Sequence, residues 1–509
     1  MKKTTAGLIW ICLLHAAPGK TQAPSQPPPL PPVAITAAAV SVQTLHIDNQ
    51  GRRPVELVCP RKGPSPSRPT PAPAAPTELP EAQDVEQALQ ELPNPSALRT
   101  APSSPIRGPL RQDQTGPFRI AIWGDSHMAA AFFSDQMLRQ LTGPAGPHEL
   151  AVSSRFVHAG VGHGGVRALV RKTCLTGDWA REMAYAHSDA ASAPGPGMTS
   201  LVAKRPGASL ALDLRDSQGL ARLTRFQILH HGDPTGSTRL AIGVDGEAET
   251  ELPLAPHAGP GVLELSTTLP LSTLHIRVVE GAFRFQGLKL PPALPPKAIH
   301  MDLLAYPGAT VSGWVRSDLA YLASWFTDQA YDLALIAFGT NEGHDPRFNE
   351  TAYKDTLNKA LGNFRQVFPT TPCVLISPGD RGIRVVKSSK ATAKAKAKAT
   401  KNHSKKKAPP ANNTPTPPQA TQPRPTAPAT QLLKYSRIHA QIGQIQTDLA
   451  AQHGCLFWSM QEAMGGLGSA YRWARQTPPL MAPDLIHFTP AGYRELANRF
   501  MADFGLSTP

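Results

Sequence analysis

The sequence predicts a three-layer α/β domain built on a parallel sheet, with a β-sandwich inserted into it. Two patterns carry that prediction. Short continuous apolar runs, each closed by a Gly, Pro or Asp turn, alternate with helical spacing across 118–138 and 303–504. Strands apolar on both faces belong to a parallel sheet covered by helices. Between the first helix and the second strand lie roughly 150 residues whose β-formers alternate or cluster between Gly, Pro and Asp turns, the texture of a sandwich.

The first run, 118–123, ends at Gly124-Asp125-Ser126, and Met128, Phe132, Phe133, Met137 and Leu138 follow at near-helical spacing. That reads as strand, tight turn, helix. Runs at 303–306, 333–338 and 373–377 end at Pro307-Gly308, Gly339-Thr340-Asn341 and Pro378-Gly379-Asp380, and a fifth, 456–460, precedes Glu462. Helical patterns at 314–330 and 353–367 lie between the later strands. The sandwich strands are expected at 210–214, 224–229, 238–244, 261–265 and 273–285. The expected division is a signal peptide at 1–23, a largely disordered Pro-rich linker at 24–110, a discontinuous α/β domain at 111–160 and 299–509, and the sandwich at 161–298. A disordered Lys/Ala and Pro-rich insertion at 381–431 interrupts the α/β domain.

Composition supports this division. Of 54 prolines in 509 residues, 21 fall in 1–110 and eight between Pro409 and Pro428, so the remainder is of ordinary globular composition. The linker is expected to be extended and polyproline-like, broken by a β-like patch at 45–59 and a helical patch at 81–92. The formal charge of +14 is concentrated as well: Lys387 to Arg424 holds ten basic residues and no acid, and the first 23 residues hold three lysines and no acid. The folded parts are therefore close to neutral, which excludes a nucleic-acid-binding surface wrapped round the fold. The run from Lys387 to Lys407 is expected to be a solvated loop, with contact to an anionic polymer as the alternative.

Lys2 and Lys3, an apolar run at 6–14 and the stretch ending Thr21-Gln22-Ala23 read as a secretory signal cleaved after Ala23, so the protein is expected to be exported, to the periplasm or beyond. Ile11 precedes Cys12, so no lipid anchor is expected, and no other stretch could cross a bilayer. Cys59, Cys174, Cys373 and Cys455 are widely scattered and show no Cys-x-x-Cys spacing. They are expected to be buried or unpaired thiols rather than a disulfide framework.

Ligands of an open α/β sheet bind beyond the carboxyl ends of its strands. Ser126, Gly308 and Asn341 each follow such an end, so they are expected to converge. Asp484 and His487 precede the last helical pattern, at 491–504. Three residues apart, a carboxylate can sit beside an imidazole, fix its tautomer and stabilise the imidazolium. A serine, a base and an orienter make an acyl-transfer site. Each residue also has a plainer reading: Ser126 as a helix cap, Asn341 as a turn residue, Gly308 as a hinge with Gly313 competing, and Asp484 as a cap beside a surface His487. Asp125 is expected to shape its turn. His127 and His344 flank the site in structural or substrate-contact roles. His158 and His163 stand among Gly160, Gly162, Gly164 and Gly165 with no Cys or carboxylate at ligand spacing, so no metal and no cofactor is expected.

Gly124-Asp125-Ser126-His127, Gly308, Gly339-Thr340-Asn341-Glu342 and Asp484-x-x-His487, in that order, resemble the four blocks of the SGNH (GDSL-type) hydrolases over about 118–150 and 299–509. GDSHMAAAFFSDQMLRQL, AMGGLGSAYRW, DLIHFTPAGY and the inserted sandwich are similar to exported peptidoglycan O-acetylesterases, in which the insertion is a carbohydrate-binding-module-like sandwich that shapes the cleft. Two features depart from that pattern: the Lys/Ala insertion, and YPGAT in the second block, where the subfamily tends to carry a glycine two residues earlier. The resemblance implies a flavodoxin-like sheet and the catalytic residues Ser126, Asp484 and His487. It also implies an oxyanion hole of the Ser126 and Gly308 N–H groups and the Asn341 amide.

The activity implied is metal-independent removal of acetyl groups from an acetylated glycan, above all peptidoglycan. The alternatives are an esterase of another acetylated polysaccharide, a non-catalytic wall-binding protein on the same scaffold, and, with no apolar lid segment visible, more remotely a lipase. The sandwich either binds glycan or only walls the cleft. If the lysine run is a tether to a polyanionic matrix, its deletion lowers retention on insoluble wall and leaves turnover of a soluble ester intact. Equal retention at low salt would dispose of the tether.

Overall fold

The structure, a computed structural model, describes residues 35–50, 55–60, 77–92, 117–142, 154–167, 170–186, 192–246, 248–291, 299–386 and 429–506. The expected signal peptide and the lysine run lie outside the described residues.

Five parallel strands form the central sheet: β1 (Phe118–Gly124), β2 (Ile299–Leu303), β3 (Leu333–Ala337), β4 (Cys373–Ile376) and β5 (Leu456–Trp458). Their order is β2-β1-β3-β4-β5, the flavodoxin-like arrangement. Because successive side chains of a strand face opposite ways, the sheet feeds two cores. Ile120, Ile122, Leu333, Leu335, Val374 and Ile376 face one core. Helices α1 (Phe132–Thr142) and α4 (Pro490–Asp503) close it with Phe133, Met137, Leu496 and Phe500. Ala121, Trp123, Ala334, Ile336 and Leu375 face the other. There α2 (Glu350–Val367) and α3 (Lys434–Gln452) contribute Leu357, Phe364, Ile442 and Leu449. Trp123 has no exposed surface and packs against Trp314 and Phe368 with ring centroids 5.4 Å away in each case. Such aromatic contacts add about 0.5–1.5 kcal/mol each beyond the area they bury.

The inserted region is two largely antiparallel sheets around a separate core that includes Leu210, Ile228, Ile242, Leu263, Ile276 and Phe285. Strands 172–176, 179–183 and 199–203 were not expected from the sequence; Trp179–Met183 is only partly buried along its length, so it lacks a strong apolar pattern. The insertion also begins before residue 161, since Phe156–His158 pairs with the sandwich strand Phe283–Lys289. Asp302 of β2 buttresses this junction by accepting hydrogen bonds from Ser154 Oγ, Arg155 N and Tyr331 Oη at 2.6, 2.7 and 2.8 Å.

Other boundaries differ for local reasons. β2 starts at Ile299, and Leu304 N and Tyr306 N still donate to Ile122 O and Gly124 O, so the expected 303–306 run is its continuation. The helix expected over 314–330 is two short ones, Ser312–Arg316 and Leu319–Ser324, because Ser317 is extended and the Asp318 carboxylate caps the second at Tyr321 N. The insertion expected to be disordered from 381 is ordered to Val386, where Val385–Val386 pairs with Thr77–Glu78.

The leader 24–110 is not simply a linker. Ser41–Ile47 joins the sandwich as a strand parallel to Pro260–Leu271, and helix Ala82–Gln90 buries Val85 and Ala88 in the α/β core. The cysteines likewise depart from expectation. Cys59 is bonded to Cys174 and Cys373 to Cys455, across separations of 115 and 82 residues that leave no local spacing to read. The second bridge ties the start of β4 to the residue before β5.

Constraint of the unfolded chain by a loop of this length is worth about 4 kcal/mol in the chain-entropy account. Replacing Cys373 and Cys455 by serine is expected to lower the melting temperature, with wild type under reductant moving in the same direction. A melt insensitive to both would show that this bridge does not contribute.

Candidate active site

The site is assembled at the carboxyl end of the sheet by three loops tied together through the backbone. Asp125 N donates to Ala337 O at the end of β3 (3.2 Å), and Tyr306 N donates to Gly124 O at the end of β1 (3.0 Å). Gly124 is required by contact: a Cβ there would lie 2.8 Å from Ala337 O. Asp125 then caps the short helix Ser126–Ala129 by accepting from His127 N at 2.9 Å and is also hydrogen-bonded by Thr340. Burial pushes its carboxyl up to about 6 despite those bonds. Its neighbours make it a turn-builder.

Ser126 is thereby placed, partly exposed, on the first residue of that helix. Its Oγ lies 3.0 Å from His487 Nε2, and His487 Nδ1 lies 2.7 Å from Asp484 Oδ2. In the tautomer these contacts require, Nδ1–H donates to the carboxylate and Nε2 accepts from the serine hydroxyl. The Asp484 Oδ1 atom accepts from Ile486 N and His487 N, both at 3.0 Å. Partial burial works against the Asp484 charge, but the His487 bond and these two N–H groups outweigh it and hold the carboxyl below its ordinary value.

The loop is closed by a bridge between Met481 and Phe488 and by Ala482 N donating to His487 O at 2.8 Å. Leu485, at φ 57°, turns its side chain into the core, where it is fully buried. A positive φ on such a residue costs of the order of 1–3 kcal/mol, held here by packing.

Gly308 crests the loop after β2 at φ 81°, exposed, with no atom within 4 Å of where a Cβ would stand. Asn341 Nδ2 donates to Ala309 O at 2.8 Å, which joins the second and third loops and leaves the second amide hydrogen for another acceptor. Gly313 instead packs below, its Cβ position 2.8 Å from Met198 Sδ. Ser126, His487 and Asp484 thus form one hydrogen-bonded chain, with the Gly308 and Asn341 loops fixed to the same sheet end.

Of the flanking histidines, His127 is buried with its ring centroid 5.4 Å from that of His487, and its Nδ1 is 3.2 Å from Tyr493 Oη. Burial, followed by repulsion from His487 and His439, brings it down to about 3, so it is a neutral packing ring. His158 is buried and accepts from Gly160 N. Among the described residues no group of three His, Cys, Asp or Glu side chains is arranged to hold a metal, and no helix is long and apolar enough to cross a membrane.

Two residues were not singled out from the sequence. Arg381 stands in the loop after β4, directly behind Pro378-Gly379-Asp380. Glu342, the last residue of the third block, accepts from Val311 N at 2.8 Å, and its other carboxyl oxygen is buried with no partner among the described residues. Burial pushes it up to about 7, with the nearby Asp125 adding to the shift against the N–H groups that oppose it.

The chain has relatives in this geometry. Residues 282–495 match the GDSL-like Lipase/Acylhydrolase family, a stretch that holds Gly308, Asn341, Asp484 and His487 and begins after Ser126. A solved peptidoglycan O-acetylesterase superposes with a TM-score of 0.51 at 18% identity, over 77% of this chain and 92% of that one, a likeness of fold. A family two carbohydrate esterase from Cellvibrio japonicus, at 12% identity over 65% of this chain and 99% of that one, gives a TM-score of 0.23. No curated protein sequence matches. The α/β part of the chain has the fold of the GDSL/SGNH-type hydrolases.

Because the folded-state value of Glu342 lies above its ordinary one, the folded protein holds that proton more tightly. The associated stability is fully present below about pH 4.5 and is lost as the pH rises through about 7. Glu342→Gln keeps an acceptor for Val311 N and removes the titration. It is expected to flatten the fall in melting temperature between pH 5 and pH 8, with a gain on the order of 1–3 kcal/mol at the upper end. Parallel curves for the two proteins would rule out a protonated Glu342.

Proposed function

We propose that this chain is a GDSL/SGNH-type serine esterase that removes acetyl groups from carbohydrate hydroxyls, with O-acetylated peptidoglycan as its substrate. The reading rests on one observation above all: the continuous chain Ser126 Oγ, His487 Nε2, His487 Nδ1 and Asp484 Oδ2, with contacts of 3.0 and 2.7 Å.

In the proposed mechanism Ser126 Oγ attacks the ester carbonyl as its proton passes to His487 Nε2. The carbonyl oxygen gains the negative charge, which the Ser126 and Gly308 N–H groups and the remaining Asn341 amide hydrogen stabilise. His487 then gives its proton to the departing sugar hydroxyl, leaving acetyl-Ser126. Water deprotonated by His487 repeats the attack, and acetate leaves. Asp484 keeps the imidazole in the required tautomer and stabilises its protonated form. The Asn341 bond to Ala309 O fixes the amide in advance, which is what makes a donor effective in a transition state.

The carbohydrate assignment is supported by the fold shared with the peptidoglycan O-acetylesterase and by the sandwich inserted into the α/β domain. His163 of the insertion packs at a tilt against Tyr306 with centroids 5.1 Å apart, and Tyr185 Oη donates to Pro307 O at 3.3 Å, so sandwich-side residues adjoin the Gly308 loop. Export is part of the same proposal, and two disulfides favour an oxidising compartment.

Acetate release from natively acetylated sacculi, with de-esterified sacculi and acetylated xylan as comparators, tests this reading. Ser126→Ala is expected to reduce release by at least about 10³-fold, and Asn341→Ala to lower kcat by about 10²- to 10³-fold. Release that survives in the serine variant refutes the enzyme reading. Faster release from xylan than from sacculi refutes the substrate.

A further inference from the structure

Arg381 is 6% exposed, yet it has no ion pair among the described residues. Its Nη2 donates to His344 Nδ1 at 3.1 Å and its guanidinium lies 4.2 Å from the centroid of Tyr435, while Nε is buried without an acceptor among the described residues. The carboxylate next to it in sequence is engaged elsewhere: Asp380 accepts from Ser436 Oγ, from Gln461 Nε2 at 2.8 Å and from Ala470 N at 2.8 Å. The other anion that acts on Arg381 is Asp484, whose oxygens already serve His487 and Ile486. A guanidinium so far withdrawn from water normally has an anionic partner, because an unpaired buried charge is costly.

Its position is held from the catalytic side. Gly382 N donates to Leu485 O at 3.1 Å and Arg384 Nη1 to Pro483 O at 2.8 Å, so the loop carrying Arg381 is bonded to the loop carrying Asp484 and His487. His344, exposed, comes three residues after Asn341 and reaches Arg381 from the opposite loop. The cation therefore lies between the two loops that present the base and the amide donor. A second guanidinium with no ion pair among the described residues, Arg181 of the sandwich, acts electrostatically on Tyr306 and His163 beside the Gly308 loop.

We propose that Arg381, held by His344 and Tyr435, is an anion subsite that takes a carboxylate carried by the substrate close to the scissile ester. The inference rests on the esterase reading above and narrows its substrate to acetylated muramoyl sugars whose lactyl group is a free carboxylate, as opposed to peptide-substituted residues, in which that group is an amide, and to neutral acetylated polysaccharides. A guanidinium matches the planar carboxylate through paired N–H groups, and hydrogen bonds to an ionised partner are the strong ones.

The test uses the full chain and two soluble probes, 6-O-acetyl-N-acetylmuramic acid and the same sugar with its lactyl carboxylate converted to the carboxamide. Wild type is expected to prefer the carboxylate in kcat/KM by about 10- to 100-fold, the range for a charge-assisted hydrogen bond. Arg381→Gln is expected to bring that ratio to within about twofold of one, and Arg381→Lys to retain part of it. Because the ratio is internal to each variant, a general loss of activity or folded fraction does not move it. A merely structural Arg381, acting through Asp484, would slow both probes equally and preserve the ratio. Wild type that hydrolyses both probes at equal rates overturns this inference alone. Wild type that hydrolyses neither, together with acetate release insensitive to Ser126→Ala, overturns the esterase reading and this one with it.

Discussion

The contact between Ser126 Oγ and His487 Nε2 joins residues 361 apart in sequence, and neither partner is held by the other. The serine is fixed by the end of β1, through the Asp125 cap and the bond from Asp125 N to Ala337 O. The histidine is fixed by a loop whose buried Leu485 anchors it in the core below. The chemistry depends on one constraint, the parallel register that ends β1, β2 and β3 on the same side of the sheet. A slip of one residue would reverse the faces of Ile120 and Trp123 and break both cores, so the packing that stabilises the sheet also sets the distance between hydroxyl and imidazole.

Much of this was legible in the residues because the relevant signals are local. Continuous apolar runs closed by Gly-Asp-Ser, Pro-Gly and Gly-Thr-Asn mark strand ends, and strand ends are where a parallel sheet places its ligands. Asp484 and His487 lie within one turn of chain, so their contact could be expected from spacing. What escaped the sequence is non-local. The disulfides join cysteines 115 and 82 residues apart. Arg381 has no local pattern that announces an unpaired cation; its meaning comes from Asp380 being engaged by Ser436, Gln461 and Ala470, all from distant segments. Glu342 reads as an ordinary loop acid until burial beside Asp125 is seen.

The Pro-rich leader shows the same limit of composition. The helix Ala82–Gln90 matches the helical patch expected at 81–92 and the strand Ser41–Ile47 overlaps the start of the β-like patch expected at 45–59, but composition gave no sign that the two pack on different parts of the molecule. Arg384 extends the connection, its Nη2 donating to Thr77 O at 2.9 Å while its Nη1 reaches Pro483 O. The leader is thus linked through one guanidinium to the loop that carries the proposed base.

The path of the chain also bears on when the molecule becomes competent. Ser41–Ile47 waits for a partner strand that begins at Pro260, and the serine waits for an imidazole at 487. Synthesis proceeds from the N-terminus, so these segments must remain open-ended for most of the chain's emergence. A ribosome-bound polypeptide carries the proposed nucleophile without its proposed proton acceptor. On the proposed mechanism, topology withholds reactivity until the far end of the chain arrives.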